Sequence, residues 1–397
     1  MHSQMDMIRC AIVRGGTSKG IFIMENELPD NPEDRDRVLL SVFGSPDIRQ
    51  IDGLGGADVL TSKLAIIAPC RTGEADVDYT FGQVSIEKAF IDYGGNCGNI
   101  SSAVGGFAID MGIVRAVEPV TTVRIRLTNT NRILTASVPV IGGKAAVEGD
   151  YHIDGVPGTG AKITLDWSET AGGITGNLLP TGKEQDIISA GGRNYRVSVV
   201  DAGNIVVFVH AGEFGLRGTE TPGQIESDSE RMHLIERIRG EVCTKIGLAK
   251  QWEDAQKVTP FQPFFAIVSE AQSHECFNGR MIGEEESHMT SRIVFMGHMH
   301  KAYPVTGTVA TAAAARIPGS VVYNLLPHAA HEEPVLKIAH PSGIIEVESR
   351  ASMQDGIVRV EKIGIYRTAR MIMDGYVYVR KVSNMSRKSS RQSIFPL

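Results

Sequence analysis

A cysteine inside a glycine-rich loop is the residue of this sequence best suited to chemistry. Cys97 lies in Gly94-Gly-Asn-Cys-Gly-Asn99, directly before a run of small and apolar residues at 100–108. If that run is a helix, its dipole and its free backbone N–H groups favour negative charge and lower the pKa of a thiol from about 8.5. Most buried cysteines are inert. This loop context nevertheless predicts a reactive thiolate at Cys97.

Two further segments have side chains suited to an anionic ligand. Residues 14–20 read Arg-Gly-Gly-Thr-Ser-Lys-Gly and lack the spacing of a nucleotide-binding Walker loop. Their N–H groups, hydroxyls and ammonium group suit a carboxylate, although a tight turn with an exposed lysine is the alternative interpretation. Lys63 begins an apolar strand behind the glycines at 53–56. Its side chain either reaches into a cleft or, as is usual for lysine, points to solvent.

Two turns carry weaker signals of the same kind. Asn204 precedes an apolar strand at 205–209, and His340 and Ser342 belong to a His-Pro-Ser-Gly turn. Each of these side chains either contacts a carboxylate or serves the turn in which it lies.

Other kinds of catalytic site are not indicated. His298-x-His300 and His328-x-x-His331 have no carboxylate or cysteine partner at metal-ligand spacing, so no metal is predicted. The G-x-S-x-G signature of a serine hydrolase is absent from the sequence.

The composition narrows the class of protein. The 397 residues carry a formal net charge of -6, which gives no basic surface for nucleic acid. No apolar run approaches the ~18 residues of a membrane span, and the N-terminus lacks an apolar signal core. The five cysteines are odd in number and widely spread, which predicts reduced thiols and a cytoplasmic location.

The elements that must position these residues are mainly strands. Alternating apolar stretches occur at 123–127, 133–140, 195–200, 205–209, 344–347, 357–360 and 376–379. Helices are predicted at 32–43, 227–246, 98–111 and 309–317. The last two lack a charged face, which is typical of helices buried on all sides. The pattern indicates an α+β protein in which two sheets each enclose one helix.

A glycine-rich stretch at 171–194 divides the chain into two parts of similar pattern. We therefore predict an N-terminal domain at 1–185, a C-terminal domain at 186–380 and a basic tail at 381–397. The tail is expected to be solvated and disordered. A nucleic-acid or membrane role is the weaker alternative for it. Facing domains would bring the two helix starts together across a cleft, where small ligands commonly bind.

Cys97-Gly-Asn99 before one buried helix, with Thr306-Gly-Thr308 before the other, resembles the diaminopimelate epimerase architecture. The resemblance implies two domains, each a curved, mostly antiparallel sheet around a central helix. In that family each half supplies one cysteine, and the pair moves a proton between opposite faces of a carbon. Here Thr306 replaces the second cysteine. A hydroxyl has too high a pKa to be that base, so two-cysteine racemisation is not expected.

Six motifs in one order further resemble the PrpF-like isomerases. They are Arg14-Gly-Gly-Thr-Ser-Lys-Gly20, Gly44-Ser-Pro-Asp47, Gln50-Ile-Asp-Gly53, Thr61-Ser-Lys63, Asn96-Cys-Gly-Asn99 and His340-Pro-Ser-Gly343. The resemblance runs from about residue 8 to about residue 379. It implies proton transfer that shifts a double bond in an unsaturated di- or tricarboxylate, without a cofactor. Within the family, residues 43–67 and the flanks of Cys97 are most similar to methylitaconate delta-isomerase. Isomerases of 2-methylaconitate or aconitate, and 4-oxalomesaconate tautomerase, are the alternatives.

The resemblance also assigns the site. It implies Cys97 and Lys63 as the catalytic pair, with the order of base and acid open. The substrate-binding candidates are Thr17, Ser18, Lys19, Ser62, Asn96, Gly98, Asn99, Asn204, His300, Thr306, Gly307, Thr308, His340 and Ser342. The expected partner is a small carboxylate, with neither nucleic acid nor membrane, and a homo-oligomer is an open alternative. Outside this class, a cysteine-nucleophile hydrolase or a non-catalytic carboxylate-binding protein would also use Cys97 or the anion-binding loops.

Overall fold

The computed structural model describes residues 4–354 and 357–381. Its earlier strands are β1 (Met5–Gly15), β2 (Ser18–Met24), β3 (Lys63–Pro69), β4 (Val77–Val84), β5 (Ile91–Asp92), β6 (Val120–Leu127), β7 (Arg132–Ile141), β8 (Lys144–Ala145) and β9 (Ile163–Asp166). The later strands are β10 (Asp186–Ala190), β11 (Arg193–Ala202), β12 (Asn204–His210), β13 (Phe264–Glu270), β14 (His274–Glu275), β15 (Met281–Ile282), β16 (Met289–Phe295), β17 (His298–Met299), β18 (Val335–His340), β19 (Gly343–Gln354), β20 (Ile357–Arg367) and β21 (Ala369–Arg380). The helices are α1 (Pro32–Phe43), α2 (Gly98–Asp110), α3 (Pro222–Glu226), α4 (Ser229–Lys245), α5 (Ala255–Val258), α6 (Val305–Ala314), α7 (Val321–Leu325) and α8 (His328–Glu332).

The first half is a curved sheet around α2. Its strand order is β21-β1-β2-β3-β4-β6-β7-β9-β20, antiparallel except for the pairs β2–β3 and β4–β6. Nearly all of α2 is buried, which confirms the helix predicted from its small residues. A side chain at Gly105 would lie 2.8 Å from Val138 Cγ2 on β7, so this glycine allows close packing of helix and sheet.

The second half repeats the arrangement around α6. Its order is β20-β19-β18-β16-β13-β12-β11-β10, with parallel pairs β12–β13 and β16–β18. Every residue of α6 is buried. The predicted start at residue 309 is wrong: the helix begins at Val305, with Pro304 as its N-cap. Proline has no N–H to satisfy and a fixed φ, so it begins a helix readily. Thr306 and Gly307 therefore lie in the first turn.

The last two described strands return to the first half. Strand β20 pairs with β9, and β21 lies antiparallel to β1 from Met5↔Arg380 to Gly15↔Ala369. The C-terminal domain predicted at 186–380 includes both strands, although β20 and β21 also pair with strands of the first half. We propose a division in which the first half comprises residues up to about 185 together with 357–380. Most of the predicted tail, from residue 382 onward, lies outside the described residues.

The predicted helix at 32–43 is confirmed, with Asn31 Oδ1 accepting from Asp34 N as its cap. The helix predicted at 227–246 forms α4, with Asp228 as its cap. In the described part of the chain, no helix combines the length and the apolar character needed to cross a membrane.

Candidate active site

The starts of α2 and α6 meet between the two halves. A Cβ at Gly98 would lie 2.4 Å from Val305 Cγ1 and 2.9 Å from Trp167 Cζ2. Gly98 therefore has to be a glycine for the two helix starts to approach this closely. A cavity of about 20 Å³ lies at this contact.

Cys97 is the N-cap residue of α2 and is 8% exposed. Its side chain makes no capping hydrogen bond, and it lines the cavity. The first N–H groups of a helix have no acceptor within the helix, so the cavity wall at Cys97 favours a negative charge. The predicted position of Cys97 at a helix start is confirmed.

Lys63 is the first residue of β3 and lines the same cavity. Its Nζ donates to Gln83 Oε1 at 2.9 Å, while Gln83 Nε2 donates to the carbonyls of Ser62 and Val59. These carbonyls fix the orientation of the Gln83 amide, with its oxygen toward Lys63. The rings of Phe81 and Phe295 lie 5.4 and 5.5 Å from Nζ. An amide oxygen and two aromatic faces all stabilise an ammonium cation. Of the two alternatives for Lys63, the structure shows the buried one.

His300 completes one wall of the cavity and is 4% exposed. Its Nδ1 accepts a hydrogen bond from Ala302 N at 3.1 Å, so the neutral ring carries its proton on Nε2. Burial, together with the positive charge of Lys63, lowers the pKa of His300 to about 4. The imidazole is therefore neutral at pH 7, and its free N–H is a donor.

Two buried polar atoms in the cavity wall have no partner in the described protein. They are Ser18 Oγ and Asn96 Oδ1. Buried polar groups nearly always have a hydrogen-bond partner, so an unpaired donor and an unpaired acceptor at one cavity point to a polar ligand there.

The structure divides the substrate-binding candidates into three groups. Those lining the cavity are Ser18, Asn96, Gly98, Asn99, His300 and Thr306. Those lining a larger cleft beside it are Thr17 and His340. Lining neither space are Lys19, Ser62, Asn204, Gly307, Thr308 and Ser342.

Three residues of the last group have side chains occupied by other protein atoms. Ser62 Oγ donates to Gln50 Oε1, Thr308 Oγ1 donates to Pro304 O, and Ser342 Oγ donates to Lys301 O. Lys19 follows Ser18 on a strand, where successive side chains face opposite sides. Gly307 faces Ile293.

Asn204 connects the two halves. Its Oδ1 accepts from Asn96 N at 2.9 Å, and its Nδ2 donates to Asn96 O and to Thr306 Oγ1, both at 2.8 Å. All of its amide hydrogen-bonding groups are thereby used. Asn204 positions the segments that begin α2 and α6, and its amide is not free for a ligand.

Sequence reasoning missed three phenylalanines and one arginine. Phe261, Phe264 and Phe295 are buried and form apolar parts of the cavity wall. Arg367 lies beside the cleft. None of the four belongs to a recognisable motif or to a strand that was predicted from the sequence.

Comparison with known proteins shows the family of this chain. The family model described as PrpF protein matches residues 5–380. The chain is 50% identical to the 3-methylitaconate isomerase of Eubacterium barkeri, over 96% of this chain and 99% of that protein. It is 38% identical to the 4-oxalomesaconate tautomerase of Pseudomonas putida, over 94% and 96% of the two chains. It is 36% identical to the 2-methyl-aconitate isomerase of Shewanella oneidensis, over 94% and 97%.

Solved structures extend the comparison. A crystal structure of methylitaconate-delta-isomerase superposes with a TM-score of 0.80 at 48% identity, covering 98% of this chain and all of that one. A hydroxyproline epimerase from Agrobacterium vitis superposes with a TM-score of 0.56 at 13% identity, covering 94% and 93%, which shows the fold alone. The α+β fold expected from the epimerase resemblance and the prediction of an isomerase are both confirmed. The chain belongs to the PrpF family.

Proposed function

We propose that this protein shifts a carbon–carbon double bond within an unsaturated dicarboxylate of the 3-methylitaconate type. The observation that carries the proposal is that Cys97 and Lys63 line one cavity between the two helix starts. The 50% identity to a 3-methylitaconate isomerase supports this choice of substrate within the family. Of the two unpaired polar atoms at the cavity, the Ser18 hydroxyl can donate a hydrogen bond to a carboxylate of this acid.

The proposed reaction removes a proton from one carbon of the substrate and adds a proton at another. A proton leaves the methyl-bearing carbon next to one carboxylate, and its bonding electrons move into a dienolate. A proton then returns at the former methylene carbon, which gives 2,3-dimethylbutenedioate. The carboxylates delocalise the charge of the intermediate, so no cofactor is needed.

The surroundings of the two groups suggest which is base and which is acid. Gln83 Oε1 and two aromatic rings stabilise the ammonium form of Lys63, and the start of α2 favours the thiolate form of Cys97. In this proposal the Cys97 thiolate removes the proton and the Lys63 ammonium group supplies one. Positioned acid–base groups of this kind each contribute about 10²–10⁴-fold to the rate.

The developing enolate needs donors that are already in place. The first N–H groups of α2 and the Nε2–H of His300 face the cavity. Because the residues that line the cavity are buried, such donors stabilise negative charge more strongly than they would in solution. A neutral imidazole is a suitable donor here, since it gives a hydrogen bond without requiring a counterion.

His300 also bears on the alternative of a cysteine-nucleophile hydrolase. That mechanism needs a histidine nitrogen free to accept the thiol proton. The Nδ1 of His300 already accepts from a backbone N–H, and its Nε2 carries the remaining proton. The geometry therefore favours proton transfer at carbon over attack on a carbonyl.

Proton NMR in deuterated water tests the proposal. Wild-type protein is incubated with 3-methylitaconate, 2-methylaconitate, aconitate and 4-oxalomesaconate. We expect deuterium incorporation and double-bond migration, fastest with 3-methylitaconate. Cys97→Ala and Lys63→Ala should abolish both signals while circular dichroism remains that of the wild type. Full exchange in both folded variants would contradict the catalytic assignment.

We also propose a cytoplasmic location. All five cysteines are free thiols in the structure, which suits a reducing compartment.

A further inference from the structure

A second space between the halves lies beside the catalytic cavity. It is a cleft of about 400 Å³. Thr17 and Tyr303 line the cleft, whereas their chain neighbours Ser18 and Pro304 line the cavity. The two spaces are therefore adjacent and are bordered by one shared layer of residues.

Asn99 is part of that layer. It lies in the first turn of α2 and lines the cavity. Its Nδ2 donates to Thr17 Oγ1 at 3.0 Å, and its Oδ1 accepts from Thr17 N at 3.4 Å and from Arg367 Nε at 3.3 Å. Arg367 is thus connected through one side chain to the helix start that carries Cys97.

Arg367 is a buried cation without a counterion. It is the last residue of β20 and is 5% exposed, and it lines the cleft. Its Nη1 donates to Tyr366 O at 2.8 Å and its Nε to Asn99, which leaves Nη2 without an acceptor among the described residues. Burial lowers its pKa to about 10. No carboxylate in the described chain forms an ion pair with it. A buried charge without a partner is costly unless an anion binds beside it.

The other lysine and arginine side chains that line the cleft form ion pairs. They are Arg280 with Asp154 (3.4 Å) and Glu286 (2.9 Å), and Lys337 with Glu346 (3.9 Å), while His152 lies 3.3 Å from Asp154. His340 lies near Arg367, and burial together with the neighbouring Arg292 and Arg367 charges holds its pKa well below the usual range, so its ring is neutral. Arg367 is thus the arginine of the cleft that forms no ion pair among the described residues.

The size of the cavity indicates where a substrate would extend. About 20 Å³ is the space of roughly one water molecule, so a six-carbon dicarboxylate that reacts at Cys97 extends beyond it. We propose that Arg367 binds the second carboxylate of the substrate from the cleft, while the reacting end of the molecule lies at the start of α2. This inference rests on the proposed function and specifies its substrate class: an acid with two carboxylates, one held at the start of α2 and the other at Arg367.

Calorimetry with a non-reacting ligand tests the inference. The probe is 2,3-dimethylsuccinate, a saturated symmetric diacid that has a single monomethyl ester. Wild-type protein should bind the diacid about 100-fold more tightly than the ester, which is the usual loss when one partner of a buried charge pair is removed. Arg367→Gln should bind both ligands alike, and Arg367→Lys should recover part of the preference. Equal affinity of the wild type for diacid and ester would overturn the inference, and this result does not depend on the folding of any variant.

Arg280→Gln is the matched control. Arg280 lines the same cleft, but its charge is balanced by two carboxylates. This variant should keep the preference for the diacid. A loss equal to that of Arg367→Gln would overturn the assignment, because general positive charge would then explain the binding.

Steady-state kinetics show whether a failure concerns this inference or the proposed function. If 3-methylitaconate reacts with the wild type and Arg367→Gln has an unchanged KM, the carboxylate site is wrong and the function stands. If no unsaturated acid reacts but the diacid preference depends on Arg367, the function is wrong and the carboxylate site stands.

Discussion

The two helix starts occupy equivalent places in a repeated arrangement but carry different chemistry. Strands β1 to β4 with β6 and β7, and strands β11 to β13 with β16, β18 and β19, show the same alternation of antiparallel and parallel pairs. At the start of the first parallel partner, β3 has Lys63 and β13 has Phe264. At the helix starts, α2 has Cys97 as its cap and α6 has Thr306 in its first turn.

The difference shows how a symmetric scaffold can supply an unsymmetric site. The first half contributes both groups that can exchange a proton. The second half contributes aromatic rings and the neutral His300, which close the cavity. The Thr306 hydroxyl is held by Asn204, whereas the Cys97 side chain makes no capping hydrogen bond. Under the proposed mechanism, the first half supplies the proton-transfer groups and the second half supplies part of the cavity wall.

The largest expected effect comes from replacing the polar side chain at each of the two helix starts in turn. Cys97→Ser should lower kcat/KM for 3-methylitaconate by about 10³-fold, because a hydroxyl cannot serve as the base. Thr306→Val should lower it by less than about 10-fold, because the Thr306 hydroxyl accepts from Asn204 and is not proposed to transfer a proton. Steady-state rates of both variants measure the contrast. Comparable losses would show that both helix starts take part in proton transfer.

Acid should destabilise the second half through His300. Its pKa is about 4 when folded and about 6.5 when unfolded, so the unfolded chain binds more protons between these values. This contribution to stability is complete above pH 6.5 and is lost as the pH falls toward 4, at a cost of about 3 kcal/mol. Urea denaturation at pH 7 and pH 5 measures it. His300→Asn should have a flatter dependence on pH, and an unchanged slope would contradict this account.

Alanine at the two helix glycines should have unequal effects. A Cβ at Gly98 would lie 2.6 Å from Val305 Cβ, which cannot move without moving α6. At Gly307 the nearest atom is Ile293 Cδ1, at 2.9 Å, which is the end of a flexible side chain. Gly98→Ala should therefore lower the free energy of unfolding by about 2 kcal/mol, and Gly307→Ala by less than about 1 kcal/mol. Denaturant unfolding checks the order, and the reverse order would contradict the close helix contact.

The smallest effect should follow from removing the connection between the halves. Asn204→Ala breaks three hydrogen bonds and should lower the free energy of unfolding by about 1–2 kcal/mol. Asn129 is a matched control, since it makes three similar bonds to Phe81 and Tyr93 within the first half. Asn129→Ala should cost a similar amount of stability. Asn204→Ala alone should also lower kcat, by about 10-fold, and equal kcat values would show that Asn204 is merely structural.

Much of this architecture could be predicted from local sequence, because local pattern determines it. Small residues after a glycine loop predicted α2 and placed Cys97 at its start. The orientation of the Lys63 side chain could not be predicted, because a residue at the start of a strand can face either solvent or the interior. Its contact with the ring of Phe81 shows that it faces the interior. The family motifs raised the expectation for both residues, but the catalytic roles themselves remain predictions.

Other features depend on contacts between distant segments. The use of the Asn204 amide by Asn96 and Thr306 requires three separate elements to meet. The return of β21 to β1 joins segments more than 350 residues apart, and no local periodicity indicates a strand's partner. Arg367 lies in an ordinary strand sequence, so its burial without a counterion emerges only from the assembled halves.

The pairing of β21 with β1 also has a consequence for protein synthesis. Until residues 369–380 have left the ribosome, the sheet that carries Cys97 and Lys63 has an open edge along the length of β1. An unpaired edge strand is a template for pairing with other chains. The reactive half begins translation first but is completed last, so a chain that stops before residue 369 should aggregate rather than persist as a folded fragment.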